Sequence, residues 1–289
     1  MTAPLLHAEA LTKNYGEFCA LDSLTLSIAP GEVVGLLGPN GSGKTTSLRL
    51  FLGFMQPTSG KATIAGFDCW EQSLEARRHA TYLPGELRLY ESMTGRQLVA
   101  FLAKLRGTTI GAEVDALAKR LDIDPDKQLT QMSSGMKRKV ALLAVLVPNV
   151  PLIILDEPTN TLDPTMRDEF IEQIKLAKAA GKAILFSSHV LQEVEAVCDR
   201  VAILRKGKLV QMQDMAELRE ARRVTGRFEG TPPALGPDGQ KLDAGPNLDL
   251  EHRGPLANLL NWLAQQKLAE LKVEPLGLGK IYRTYHAND

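Results

Sequence analysis

The chain has 289 residues, enough for one large domain or two unequal ones around a substantial core. Its 34 basic and 34 acidic residues cancel, which argues against a nucleic-acid partner bound through a broad basic field. A hydrophobic share of 44% against 24% charged excludes a disordered acidic chain. The longest apolar run, Val140 to Leu155, is broken by Pro148, Asn149 and Pro151, so no stretch of about 20 apolar residues is available to cross a bilayer. The first residues lack the basic region and cleavage site of a secretion signal. Cys19, Cys69 and Cys198 are odd in number and never form Cys-x-x-Cys, which fits inert thiols in a reducing cytosol.

In chain order, His7 to Leu11, Leu24 to Ile28 and Val33 to Leu37 have the length and bounding turn formers of strands. Thr45 to Leu52 reads as a helix closed by Gly53 and Pro57, and Gly60 to Ala65 as a further strand. From Gln72 to Val147 the periodicity becomes helical, as in Leu98, Phe101, Leu102 and Leu105, with only Thr81 to Leu83 strand-like and a helix running over Met136 to Val147. Strand and helix then alternate: Leu152 to Leu155, Arg167 to Ala180, Ala183 to Phe186, Leu191 to Val197 and Val201 to Leu204. That alternation predicts an α/β fold on a largely parallel sheet covered by helices. Composition shifts near Arg222, and Gly230 to Gly245 reads as an extended loop. Beyond it Leu256, Leu259, Leu260 and Leu263 form a helical stripe and Ala269, Leu271 and Val273 a strand. The expected division is a main domain over 1–222, with a helical part over about 90–147, and a small α+β domain over 223–289.

Between a predicted strand and a predicted helix lies Gly38-Pro39-Asn40-Gly41-Ser42-Gly43-Lys44-Thr45, followed by Thr46. This is the phosphate-loop pattern: glycines turn backbone N–H groups inward, and the helix start adds a positive dipole end. Lys44 is expected to contact the β- and γ-phosphates and Thr45 to ligate Mg²⁺. The apolar strand Leu152 to Leu155 ends in Asp156-Glu157, which a parallel sheet places at its carboxyl edge beside that loop. Asp156 is the candidate Mg²⁺ partner and Glu157 the candidate base, their side chains separated by strand alternation. Met132-Ser133-Ser134-Gly135-Met136 opens a helix whose free N–H groups offer a second anion site. The run Lys137-Arg138-Lys139 follows as a local basic stretch beside it.

With Ser133, Asp156 and His189 following Lys44 in this order and spacing, the chain resembles the ATP-binding subunit of ABC transporters over about Leu6 to Leu218. The resemblance implies a P-loop NTPase cassette with a mixed core sheet, an antiparallel β subdomain and a helical subdomain. By position, Tyr15 looks like the aromatic residue that stacks on adenine, and Ser133 and Gly135 like the signature that closes over the γ-phosphate of a second subunit. Asp163, in Asn160-Thr161-Leu162-Asp163, looks like the acidic residue of the loop that crosses to that subunit, and His189 like the switch histidine.

Three departures stand out. Tyr82-Leu83-Pro84-Gly85-Glu86 has Gly-Glu where the family usually has Gln, leaving Glu86 as the candidate Mg²⁺ and water contact. Ser134 and Met136 replace the common Gly and Gln, and Asn160-Thr161 replaces the more usual Ser-Gly. The first two resemble a subgroup of ABC-2-type exporters, as does the tail from Val273 to Tyr285, whose other reading is a generic amphipathic end helix. The resemblance implies ATP and Mg²⁺ as ligands, turnover by Glu157, Lys44 and His189, and a second ATP-binding subunit, in the first instance a copy of this chain. It also implies an integral membrane permease, met at an apolar notch over Leu87, Leu89, Tyr90 and Met93, and a peripheral location on the cytoplasmic face. The alternative is a soluble ABC ATPase acting on nucleic acid or ribosomes, against which the neutral charge and the lack of a Cys-x-x-Cys module count.

Overall fold

In this computed structural model residues 3–230, 232–242 and 245–286 are described. The chain divides between Met212 and Gln213 into two compact units. Antiparallel strands β1 (Leu6–Tyr15) and β2 (Phe18–Ile28) lead into the fully buried β3 (Val33–Leu37) and helix α1 (Lys44–Phe51). Next come β4 (Ser59–Ile64), β5 (Phe67–Asp68), α2 (Ser73–Arg78) and β6 (Ala80–Leu83). The helical segment holds α3 (Gly95–Leu105), α4 (Glu113–Arg120), a 3₁₀ turn at Leu129–Gln131 and α5 (Ser134–Leu146). It returns through β7 (Leu152–Asp156), α6 (Pro164–Ala179), β8 (Ala183–Ser188), α7 (Leu191–Val197), β9 (Arg200–Arg205) and β10 (Lys208–Asp214).

Two sheets organise the first unit. One has the order β2-β1-β4-β5 and the other β10-β9-β3-β8-β7-β6. In the larger sheet β3 pairs parallel with both β8 and β9, and β7 parallel with both β6 and β8. The reason is in the sequence: Val33–Leu37, Leu152–Asp156 and Ala183–Ser188 are buried at every position, as strands covered on both faces must be. Leu6, Leu24 and Ile64 of the antiparallel sheet join Leu36, Ile154 and Leu185 of the parallel one in a single core with Phe51 of α1. The helical segment has a core of its own, Leu98, Leu129, Met132 and Val140, against which Leu89 and Met93 pack. Helix α3 starts in a capping box, with Gln97 N–H donating to the Thr94 hydroxyl at 3.2 Å and Thr94 N–H to the Gln97 amide oxygen at 2.9 Å.

The second unit contains α8 (Met215–Glu220), β11 (Arg222–Phe228), β12 (Asn247–His252), α9 (Leu256–Ala264), β13 (Leu268–Pro275) and α10 (Leu278–His286). Its antiparallel sheet has the order β12-β11-β13, and Leu259 and Leu263 of α9 close over Val224, Leu248 and Leu250. The expected α+β character is present. Strands β10, β11 and β12 carry too many polar residues to stand out by hydrophobic pattern, and α5 begins at Ser134 because Ser133 caps it, ahead of the expected start at Met136.

Candidate functional site

Strand β3 delivers the chain at the carboxyl edge of the parallel sheet, where the loop to α1 must reverse over a short distance. Gly43 makes that possible: its φ of 106° is one that L side chains rarely adopt, and a Cβ there would lie 3.0 Å from the Ala20 carbonyl oxygen. Gly38 is required for space, since a Cβ would meet the Leu204 carbonyl oxygen and Ser42 Oγ, each at 2.5 Å. Lys44 is 6% exposed and folds back across the loop, donating to the carbonyl oxygens of Gly38 at 2.7 Å and Pro39 at 3.3 Å. Ser42 Oγ is buried without a hydrogen-bond partner, an orphaned polar atom inside a phosphate-type loop.

Asp156 ends β7 and Glu157 follows it. The Thr45 hydroxyl donates to Asp156 Oδ2 at 3.0 Å, and the Ser187 hydroxyl donates to Asp156 Oδ1 at 2.6 Å. Ser187 Oγ also accepts from the Glu157 N–H at 3.0 Å, so one hydroxyl at the end of β8 steadies both acids. The side chains part for a reason other than strand alternation: β7 stops at Asp156, and Glu157 takes a left-handed backbone with φ 47°. That turn aims the Glu157 carboxylate between two cationic or proton-bearing groups. Glu157 Oε1 lies 3.6 Å from Lys44 Nζ, and Oε2 lies 2.7 Å from Nδ1 of His189. A carboxylate only accepts, so in this contact Nδ1 carries the proton.

Lys44, Thr45, Asp156 and Glu157 open onto a cleft of about 720 Å³, whose wall does not include His189. Pro39 to Gly41 and Gly43 to Thr46 line it, together with Asp156, Glu157, Glu86 and Tyr15. Tyr15 is half exposed, donates its hydroxyl to Met55 Sδ at 3.3 Å and has Lys13 Nζ 5.3 Å from its ring centre. Phe18, its cross-strand partner in the β1–β2 hairpin, lines the same cleft and is 65% exposed. Gly85 lies beside Asp156, where a Cβ would make ordinary contact with Oδ2 at 3.5 Å. Burial pushes the Tyr82 phenol up to about 12, with the Asp156 charge adding to the effect.

Ser133, Gly135 and Asp163 are not on this wall. Ser133 caps α5, its hydroxyl accepting from Met136 N–H at 3.3 Å, and Gly135 faces the Thr161 carbonyl oxygen, 3.1 Å from where a Cβ would sit. Asp163 caps α6, accepting from Met166 N–H at 3.0 Å. Thr161, where the family's usual Gly is replaced, has φ 70°, a conformation unfavourable for a β-branched residue.

The basic run beside the signature is not an exposed patch, because the helix sends its three cations in different directions. Lys137 pairs with Glu91, and buried Lys139 donates to the Asp122 carbonyl oxygen at 3.2 Å. Arg138 is 2% exposed and donates to carbonyl oxygens on two loops: Pro84 at 2.8 Å and Gly85 at 3.2 Å, Glu157 at 2.6 Å and Asn160 at 3.4 Å. Burial lowers its pKa, opposed by the charges of Asp156 and Glu157. Sequence patterning does not single out Arg138 or Ser187, yet they hold the two acidic residues.

The family model described as ABC transporter matches residues 21–160. ABC transporter ATP-binding protein NatA of Bacillus subtilis (strain 168) is 36% identical over 210 residues, covering 71% of this chain and 85% of that protein. Nod factor export ATP-binding protein I of Rhizobium meliloti is 36% identical over 206 residues, covering 70% of this chain and 62% of that protein. A solved structure of an ATP binding subunit of an ABC transporter matches with a TM-score of 0.69 at 30% identity, covering 74% of this chain and 92% of that one. With this loop, these acids and this sheet order, the chain belongs to the family of ABC transporter ATP-binding proteins.

Proposed function

We propose that the chain binds and hydrolyses ATP in this cleft to power an ABC-2-type membrane exporter, as a peripheral subunit on the cytoplasmic face. The observation that carries the reading is the convergence of Lys44, Glu157 and His189 at the mouth of the phosphate loop, with Asp156 held apart from them by Thr45 and Ser187. In this reading the loop N–H groups from Gly38 to Thr46 and the Lys44 ammonium take the phosphates, and Tyr15 stacks on adenine. The Thr45 hydroxyl and the Asp156 and Glu86 carboxylates supply the all-oxygen donors that suit Mg²⁺, which neutralises phosphate charge when bound. Glu157 orients and deprotonates the attacking water, and His189 reads the γ-phosphate through the hydrogen bond it now makes to Glu157. Lys44 and the loop N–H groups stabilise the charge that develops as the terminal phosphoryl leaves.

Ser133 caps α5 and Gly135 lies in its first turn, both off the wall of their own cleft, which supports their closing over the triphosphate of a second subunit, in the first instance a copy of this chain. Asp163 belongs to the same interface. ATP binds the closed pair better than the open one, so hydrolysis releases it. Among the described residues no helix is long and apolar enough to cross a membrane, and the work is delivered to a permease. The groove of about 250 Å³ over Leu87, Leu89 and Tyr90 is the docking place. Leu89 and Met93 are partly spent on the helical core, so Tyr90, 58% exposed, is the residue with most surface to offer. Export as the direction is supported by a relative whose name states it.

The test is Glu157→Gln. It should bind ATP within a few-fold of the parent, hydrolyse it at least 100-fold more slowly, and accumulate as an ATP-dependent dimer in sedimentation. Near-parental hydrolysis would remove Glu157 from the role.

A further inference from the structure

A second cleft, of about 1190 Å³, lies away from the phosphate loop, between α2, the C-terminal end of α3 and the α5–β7 link. Its lining is unlike the rest of this neutral chain. Arg77, Arg78, Lys104 and Arg106 contribute four cations, and Glu113 is the one acidic residue on the wall. Glu113 is turned to its own backbone, accepting from Gly111 N–H at 2.7 Å, and Arg78 pairs with Glu75 at 2.9 Å on the exposed side of α2. Arg106 is the telling group: its guanidinium is partly buried and donates to the Ala80 carbonyl oxygen at 2.7 Å, and desolvation alone lowers its pKa, with no carboxylate opposing. Arg77 likewise donates to a carbonyl oxygen, that of Leu52 at 2.9 Å. Partly desolvated cations facing carbonyls rather than acids leave charge to be met by an anion.

Beside these cations stand the two most exposed leucines of the cleft. Leu105, 69% exposed, sits between Lys104 and Arg106, and Leu74, 62% exposed, precedes Arg77 and Arg78 by one helical turn. Exposed leucines ringed by long cationic side chains match a membrane interface, where phosphates meet the charges and the leucines enter the acyl boundary. We infer that this cleft binds anionic phospholipid, giving the subunit a direct hold on the membrane surface in addition to its permease. The inference extends the peripheral reading above and uses no residue of the ATP cleft.

The test is flotation of the nucleotide-free full chain with vesicles of phosphatidylcholine alone or mixed 7:3 with phosphatidylglycerol. The anionic vesicles should retain at least tenfold more protein at 0.1 M salt and lose it at 0.5 M. Lys104→Glu with Leu105→Glu should cut retention at least tenfold while leaving basal ATP hydrolysis unchanged. Lys119→Glu with Arg120→Glu, exposed cations of α4 outside the cleft, shifts the net charge further, by −4 against −3 for the cleft pair, and should leave retention intact. Leu105→Gln, which changes no charge, should weaken retention. Equal binding to both vesicles, equal loss in the α4 control, an indifferent Leu105→Gln, or full displacement by 10 mM inorganic phosphate would each overturn the inference. The fate of Glu157→Gln is read separately, so the ATPase assignment and the lipid site fail independently.

Discussion

Replacing Arg138 with methionine isolates what a single buried cation does for the site. Three of its carbonyl contacts, at 2.6, 2.8 and 3.2 Å, are good charge-assisted hydrogen bonds; the fourth, at 3.4 Å, is weak. Such bonds contribute about 1.5–3 kcal/mol each before the cost of burying the charge is set against them. Methionine fills much of the volume and regains the desolvation term, but leaves the Pro84 and Glu157 carbonyls without their donor. A net loss of about 3 kcal/mol follows, which in a unit of this size lowers Tm by about 6–12 °C. Because Arg138 joins the Pro84–Gly85 loop to the Glu157–Asn160 turn, ATP hydrolysis should fall about tenfold or more through misplacement of Glu157. Lysine restores the charge but not the planar fork, and should recover less than half of either loss. Differential scanning calorimetry with steady-state hydrolysis checks both. A methionine variant that melts within 1–2 °C of the parent and turns over normally refutes the reasoning.

Thr161→Gly removes a β-branched residue from a φ of 70° and should raise Tm by about 2–4 °C, since relief of such strain is worth about 1 kcal/mol; an unchanged or lower Tm argues that the turn is not strained. Gly43→Ala places a Cβ at a φ of 106° against the Ala20 carbonyl, so ATP affinity measured by fluorescent nucleotide titration should fall at least tenfold; a parental value counts against the loop geometry. Burial, with Asp68 adding, pushes the Cys69 thiol up from 9.0 to about 12. A raised folded pKa means its stabilisation is intact below pH 9 and declines as pH rises toward 12, by about 1.4 kcal/mol per unit. Urea titrations should therefore show a steeper loss from pH 8 to pH 10 in the parent than in Cys69→Ala, and identical slopes would exclude this thiol as the source.

The phosphate loop and the acidic strand end were readable because their chemistry demands adjacent residues in a fixed local order. Lys44, Thr45, Asp156 and Glu157 converge as that reading expects, the last two because β7 lies two strands from β3 in the sheet. What escaped was decided by tertiary placement. Arg138 sits in a run of cations that reads as surface, and only packing shows it buried among carbonyls. Ser187 is one more polar residue at a strand end, and nothing local marks it as the hydroxyl shared by two acids. Phe18 opens β2 ahead of the apolar segment Leu24 to Ile28, so hydrophobic pattern does not mark it. In the second unit Leu248 and Leu250 are spaced among charged neighbours after Pro246, too short a pattern to identify β12 without its partner.

Glu157 is held at a φ of 47°, a conformation that disfavours any residue with a Cβ and suits glycine. Glycine at 157 would relax the backbone, but it would also take from the buried Lys44 ammonium the carboxylate that pairs with it at 3.6 Å. The strained backbone is thus offset by what the side chain holds, the Lys44 ammonium and the His189 ring, and a screen for turnover would reject glycine here. Backbone strain and side-chain pairing pull this one position in opposite directions, so stability-guided engineering of the chain has to hold residue 157 fixed.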